Sequence, residues 1–421
     1  MTPLSILQRA MSNMPNHVKE ENDPKRRDDL LQELQSLAQA HPTDTAAQKH
    51  LAKGLFKALY LAKEENDLKR RDDLLQELRL LAQAHPAEAA VRNQLVLGLS
   101  HTLCQAKEEN DLKRRDDLLQ ELRSLAQAHP TETVVREQLA KGLFNTLIDA
   151  KEENDLKRRD DLLQELRLLA QAHSVETIVR EQLAMGLYDA LYHAKEENDP
   201  KRRDDLLQEL RALAQAHPTD AAVQKRLAKG LSNALYHAKE ENNLKRRDDL
   251  LKELRTLAEA HPAEAAVREQ LAMGLFNTLI DAGEEKDLKR RDDLLQELRS
   301  LSKTHLAEVA AREQLAMGLS NALYHAKEEN NLKRRDDLLQ ELRVLAYARP
   351  AEAAVREQLA KGLFNTLIDA KEENDLKRRD DLLKELQLLS KKFPDDLFVK
   401  DAFDSGLKLA PGEISQEPWL K

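Results

Sequence analysis

The sequence predicts an all-α fold, a solenoid of stacked antiparallel helix pairs. Three observations predict it. The string KRRDDLL begins at Lys25 and returns at Lys69, Lys113, Lys157, Lys201, Lys245, Lys289, Lys333 and Lys377, 44 residues apart each time. A fixed period of that size marks stacked supersecondary units. Leu30, Leu31, Leu34, Leu37 and Ala38 recur at i, i+1, i+4, i+7 and i+8, which is one face of a helix. Charged residues make up 34% of the chain and aromatic residues only 3%, a balance that suits long helices in array. The regular leucine spacing sets such a chain apart from a disordered one.

The 421 residues would suffice for two or three ordinary domains, but the unbroken register argues for one repeating body. Residues 1–18 are expected to be a degenerate N-terminal capping half-unit. The text from Ser12 aligns with the second half of a later unit, Ser232–Asn242, and Pro15 interrupts its helix. Residues 19–410 are expected to be nine tandem 44-residue helix hairpins. Residues 411–421 are a C-terminal tail, which begins at Pro411-Gly412 and carries Trp419.

Within a unit, the first helix opens at an aspartate such as Asp23, Asp67 or Asp199. In two copies a proline follows, Pro24 and Pro200. Aspartate as N-cap with proline at the first helical position is a strong start signal. The helix ends at Ala-His-Pro, for example at His41–Pro42, because proline cannot continue it and histidine suits the negative end of the dipole. The second helix covers roughly Glu132 to Lys151 in the third unit, with Val135, Leu139, Gly142, Leu143, Thr146, Leu147 and Ala150 on one side. A glycine sits inside it in every unit, among them Gly54, Gly142 and Gly274. That costs about 1 kcal/mol against alanine, so a close approach is expected there. The short KEEND link makes consecutive helices antiparallel.

The Leu139-Ala140 pair with Leu143 one turn on, followed by a leucine-rich helix that ends at alanine, histidine and proline, resembles the tetratricopeptide repeat. The resemblance covers about residues 19–410. It departs from that family in its longer period and in lacking the early tryptophan. HEAT or armadillo units are the alternative, with a longer period but without this ending. The resemblance implies a right-handed superhelix whose concave side is lined by the helix after the proline. It also implies a groove that receives an extended peptide or a partner helix. The family's contact positions, carried onto Ala140, fall on Lys141, Phe144 and Asn145.

Comparison of the copies points to the same face. The second helix varies at Lys141, Phe144, Asn145, Ile148 and Asp149 in the third unit and at Met185, Tyr188, Asp189, Tyr192 and His193 in the fourth. This stripe lies opposite the core stripe on the helical wheel and collects most of the aromatic residues. The candidate partner-binding residues are Lys53, Phe56, Tyr60, Lys141, Phe144, Asn145, Tyr188, Tyr192, Asn233, Tyr236, Phe276, Asn277, Asn321, Tyr324, Phe364 and Asn365. Two readings compete with a groove: packing between layers, suggested by large-for-small exchange between positions 144 and 148, and drift between two copied lineages.

Other chemistry is set aside. Each KRR is bracketed by acidic residues, so charged glue between layers is favoured over phosphate binding: Lys25 and Arg26 are expected to pair with Asp29 along their own helix, and Arg27 to lie on its core side. Most histidines end helices, and no two stand at metal-ligand spacing. No nucleophile, base and orienting group cluster, and Cys104 replaces Tyr or Ile on the stripe. No catalysis, cofactor or metal is therefore expected. One cysteine suits a reducing compartment, the cytoplasm, and no apolar run is long enough to span a membrane. The net charge of −9 disfavours a polyanion as partner. The expected function is a scaffold that binds a protein or peptide. The alternatives are binding of RNA or single-stranded nucleic acid through KRR, or a structural spacer. Oligomeric state is not legible.

Overall fold

The computed structural model describes residues 24–194, 197, 199–305 and 307–409. The expected N-terminal half-unit, Asp23, Pro15 and the tail from Pro411 through Trp419 lie outside the described residues. All regular structure among the described residues is helical. Two compact units are present, divided between His193 and Ala194. The uniform 44-residue register does not announce that division.

The first unit holds α1 (Pro24–Ala40), α2 (Thr45–Glu64), α3 (Leu68–Ala84), α4 (Ala89–Glu108), α5 (Leu112–Ala128), α6 (Thr133–Glu152), α7 (Leu156–Ala172) and α8 (Thr177–His193). The second holds α9 (Pro200–Ala216), α10 (Ala221–Glu240), α11 (Leu244–Ala260), α12 (Ala265–Glu284), α13 (Leu288–Thr304), α14 (Val309–Glu328), α15 (Leu332–Ala348), α16 (Ala353–Glu372), α17 (Leu376–Lys392) and α18 (Leu397–Leu409). Odd-numbered helices carry KRRDDLL and even-numbered helices follow the proline.

The boundaries have local causes. Asp67 accepts the Arg70 backbone N–H at 3.0 Å and Asp199 that of Arg202 at 2.9 Å, so the predicted aspartates do cap their helices. Even-numbered helices end in a device that the sequence reading passes over. The asparagine of KEEN adopts positive φ, 56° at Asn66 and 59° at Asn154, and the next N–H reaches back to the last turn, as from Asp67 to Ala62 O at 2.8 Å. Asparagine tolerates this conformation better than other non-glycine residues. At the same position in α12's turn stands Lys286, with φ 59°.

Within each unit, even-numbered helices lie against each other, and each odd-numbered helix packs on the even-numbered helices before and after it. The core is aliphatic and repeats by layer. Leu118, Leu119 and Leu122 of α5 and Leu139, Leu143 and Leu147 of α6 are all buried. The glycine marks a tight seam. A Cβ on Gly142 would stand 3.1 Å from Leu122 Cδ1, 3.3 Å from Leu119 Cδ1 and 3.6 Å from Leu103 Cδ1. The expected close approach is therefore to leucine side chains, two from the preceding odd-numbered helix and one from the preceding even-numbered helix.

Candidate partner-binding face

Neighbouring odd-numbered helices are joined chiefly by side chains, and the arginines of KRR supply many of the joints. In most layers the second arginine is fully buried: Arg71, Arg115, Arg247, Arg291 and Arg335 are 0–1% exposed, whereas Arg27 and Arg379 are half-buried. Arg71 binds Glu109, and its Nη1 donates to Gln105 Oε1 at 3.0 Å. Arg335 pairs with Glu373 at 3.0 Å and Asp369 at 3.1 Å. The first arginine reaches back one layer, Arg70 to Asp28 and Arg114 to Asp72. Its carboxylate partner is thus in the preceding layer rather than along its own helix, where the sequence reading places it. A third set clamps odd to odd, as Arg123 to Glu165 at 2.7 Å and Arg343 to Glu385 at 2.7 Å. In the triplets whose side chains are described, only the lysine, such as Lys69, Lys113 or Lys289, stands exposed.

The variable stripe of the even-numbered helices resolves into two kinds of position. Its fifth residue belongs to the interior. Asp149, Asp281 and Asp369 are buried, as are His193 and His237. Asp281 lies between Lys239 at 2.7 Å and the buried Arg247 at 3.1 Å, and Asp369 between Lys327 at 2.6 Å and Arg335. The helical wheel places Asp149 beside Phe144, but Lys107 and Arg115 of the preceding helices cover it.

The other positions reach the surface to different extents. In the first unit Lys53, Tyr60 and Tyr192 are exposed, while Phe56, Lys141, Phe144, Asn145 and Tyr188 are half-buried. In the second, Tyr236 and Tyr324 are exposed, and Asn233, Phe276, Asn277, Asn321, Phe364 and Asn365 are half-buried. Some of these residues meet. Tyr60 stacks on His101 with ring centroids 5.0 Å apart, and Tyr188 lies 6.5 Å from Tyr192. Asn145 Nδ2 donates to Cys104 Sγ at 3.0 Å. Burial pushes the Cys104 thiol above its ordinary value.

Further lysines on this face are absent from the sequence-based candidates. Lys49 and Lys57 stand four residues before and after the candidate Lys53 on α2, and Lys225 and Lys229 repeat Lys49 and Lys53 on α10. Burial and then Lys53 lower the pKa of Lys57, and burial, Lys53 and Lys49 lower that of His50, as expected where positive charge is crowded. The signal was available as text, since QKHLAKGL from Gln48 and QKRLAKGL from Gln224 are near-copies.

Among the described residues, no cluster of His, Cys, Asp and Glu is placed to hold a metal ion, and no helix is long and apolar enough to cross a membrane. Each unit is an α-solenoid of tandem helix hairpins. No protein-family model matches the chain, and no curated protein matches it. Solved structures do. A circular tandem repeat protein with novel repeat topology is 15% identical over 87% of this chain and 98% of its own, with a TM-score of 0.35. Human IFIT1, as a dimer with PPP-AAAA, is 12% identical over 97% of this chain and 95% of its own, with a TM-score of 0.34. The TPR domain of P58(IPK) is 14% identical over 96% and 98%, with a TM-score of 0.22.

Proposed function

We propose that the chain is a non-catalytic repeat scaffold that binds a protein or peptide along the exposed stripe of its even-numbered helices. One observation carries the reading. On helices that are otherwise largely buried, the stripe holds out Tyr60, Tyr192, Tyr236 and Tyr324, each 46–52% exposed. Tyrosine offers large contact area at low entropic cost and is enriched where partners bind most strongly. The arginines of KRR, the main argument for nucleic acid, are engaged inside the fold. A strand bound there would meet one lysine per layer beside exposed aspartates such as Asp117.

The test compares the wild-type chain with a variant carrying Tyr192→Ser, Tyr236→Ser and Tyr324→Ser as bait in native lysate, after thermal melts confirm equal folding. Proteins held by the wild type and lost by the variant support the reading. A set of partners unchanged by the substitutions, or recovery of RNA with steep salt dependence, overturns it.

A further inference from the structure

Away from the tyrosine stripe, the odd-numbered helices leave clefts between them. One of about 530 Å³ lies between α3 and α5, one of about 430 Å³ between α5 and α7, and one of about 390 Å³ between α15 and α17. They are built alike. Buried leucines form the floor, Leu75 and Leu118 in the first and Leu339 and Leu382 in the last. Two ion pairs bridge each cleft from wall to wall. These are Arg79 to Glu121 and Arg114 to Asp72 in the first, Arg123 to Glu165 and Arg158 to Asp116 in the second, and Arg343 to Glu385 and Arg378 to Asp336 in the last.

The two aspartates of KRRDDLL have different roles. The first serves in the joints, as Asp72 does with Arg71 and Arg114. The second is exposed in every copy, as at Asp73, Asp117 and Asp161 in the first unit and Asp249, Asp293 and Asp381 in the second. None of these six makes an ion pair among the described residues. Asp73 is the sixth residue of α3, past the first turn in which the helix dipole favours a carboxylate. The exposed Lys113 lines the first cleft, yet the balance there stays negative. With the bridging pairs cancelled, the first cleft keeps Asp111, Asp117 and Lys113, the second Asp117 and Asp161, and the last Asp375, Asp381 and Lys377. An organic cation on a long apolar stem matches such a cleft, with the stem on leucine and the head at the carboxylate.

The clefts recur with the layers, about 10 Å apart at the usual helix packing distance. A polyproline II helix rises about 3.1 Å per residue with three residues per turn, so every third side chain points the same way about 9 Å further on. A β-strand, with its period of two, would turn alternate members of that series away. We propose that the odd-numbered helices of each unit bind a basic protein segment in the polyproline II conformation, with arginine or lysine at every third residue entering successive clefts. Each exposed pair contributes little alone, and the repeat multiplies them. This surface is separate from the tyrosine stripe, so either reading can fail without the other.

The experiment is titration calorimetry on the full chain with a twelve-residue peptide, Arg-Ala-Pro repeated four times. The controls are an isomer with its four arginines contiguous, the same peptide with glutamate for arginine, and spermine. The spaced peptide should bind at two sites per chain, at least tenfold more tightly than any control, and should weaken as salt rises. Asp73→Asn, Asp117→Asn and Asp161→Asn together should remove one site, and Asp249→Asn, Asp293→Asn and Asp381→Asn together the other, at an unchanged melting temperature. Equal binding of the contiguous isomer, spermine bound as tightly as the peptide, indifference to both sets of substitutions, or no peptide binding would each overturn the inference. The chain carrying Tyr192→Ser, Tyr236→Ser and Tyr324→Ser should bind the peptide as the wild type does. Loss of binding there would put the segment on the tyrosine stripe and overturn the inference while leaving the scaffold reading intact.

Discussion

The His101 ring lies stacked on Tyr60 of the preceding even-numbered helix, 5.0 Å between centroids, and its other contact is fixed from the interior. Buried Arg71 donates to Gln105 Oε1, which orients that amide so that Nε2 points at His101 Nε2, 2.9 Å away. Because the amide nitrogen donates, the imidazole nitrogen accepts, and the ring is held neutral. An interior guanidinium thereby sets the state of a surface aromatic pair.

Stability should respond to mild acid through this ring. Burial, then Lys63, lowers the His101 pKa in the fold below its value of 6.5 in the unfolded chain. The unfolded chain then binds more protons between the two values, so stability rises with pH across that interval. The contribution is complete above about pH 6.5 and fades as pH falls through the folded value. His101→Phe keeps the stack and removes the titration. Between pH 7 and 5.5 its melting temperature should fall less than that of the wild type, and parallel curves would refute the assignment.

Buried and surface arginines should differ sharply. Arg247 is 1% exposed and pairs with Glu285 and, together with Lys239, with the buried Asp281, so Arg247→Met should cost about 3 kcal/mol by leaving Asp281 to Lys239 alone and Glu285 without its partner. Adding Asp281→Leu should recover part of that loss. Arg255, paired with Glu297 at 2.8 Å near the surface, should cost less than about 1 kcal/mol on change to alanine. Chemical denaturation of the four chains measures the contrast.

Lys286 occupies the left-handed turn position at φ 59° that asparagine fills in neighbouring copies. Lys286→Asn or Lys286→Gly should therefore stabilise by about 0.5–1 kcal/mol, without loss of any hydrogen bond. A lower melting point in both variants would mean that the lysine side chain contributes more than its backbone costs.

The seam glycines should rank by clearance. A Cβ at Gly98 would meet Leu78 Cδ1 at 3.3 Å, whereas one at Gly54 would meet Leu34 Cδ1 at 2.8 Å. Gly98→Ala should be near neutral, its helix-propensity gain of about 1 kcal/mol offset by a slight shift of the leucine, and Gly54→Ala less favourable. Gly274→Leu should lose about 1–3 kcal/mol by overpacking. Melting temperatures in the reverse order would contradict the packing described.

Much of the fold is legible in the sequence because its causes are local. Aspartate caps, proline stops and leucine faces act within one helix, so reading along Asp67 to His85 suffices to delimit α3. The asparagine turns were also within reach, since Asn66 and its copies are the residue type that accepts positive φ. What escapes is set by neighbouring layers. Asp149 shares a helical face with Phe144, yet it is covered because Lys107 and Arg115 converge on it from the preceding helices. Arg70 finds Asp28 rather than a carboxylate on its own helix for the same reason. The candidate face is partly legible. Variation among copies locates the tyrosines, but it obscures Lys49 and Lys225, which repeat only once, four units on.

The ion pairs bind at constant separations in sequence: 38 residues from Arg71 to Glu109, 40 from Arg92 to Glu132 and 42 from Arg79 to Glu121, with the same separations in later copies. Excision of one 44-residue copy would rejoin each donor to an equivalent acceptor. A coding sequence made of such copies can shorten or lengthen by unequal exchange, and the product still closes every joint. The number of layers is then a heritable length, free to drift.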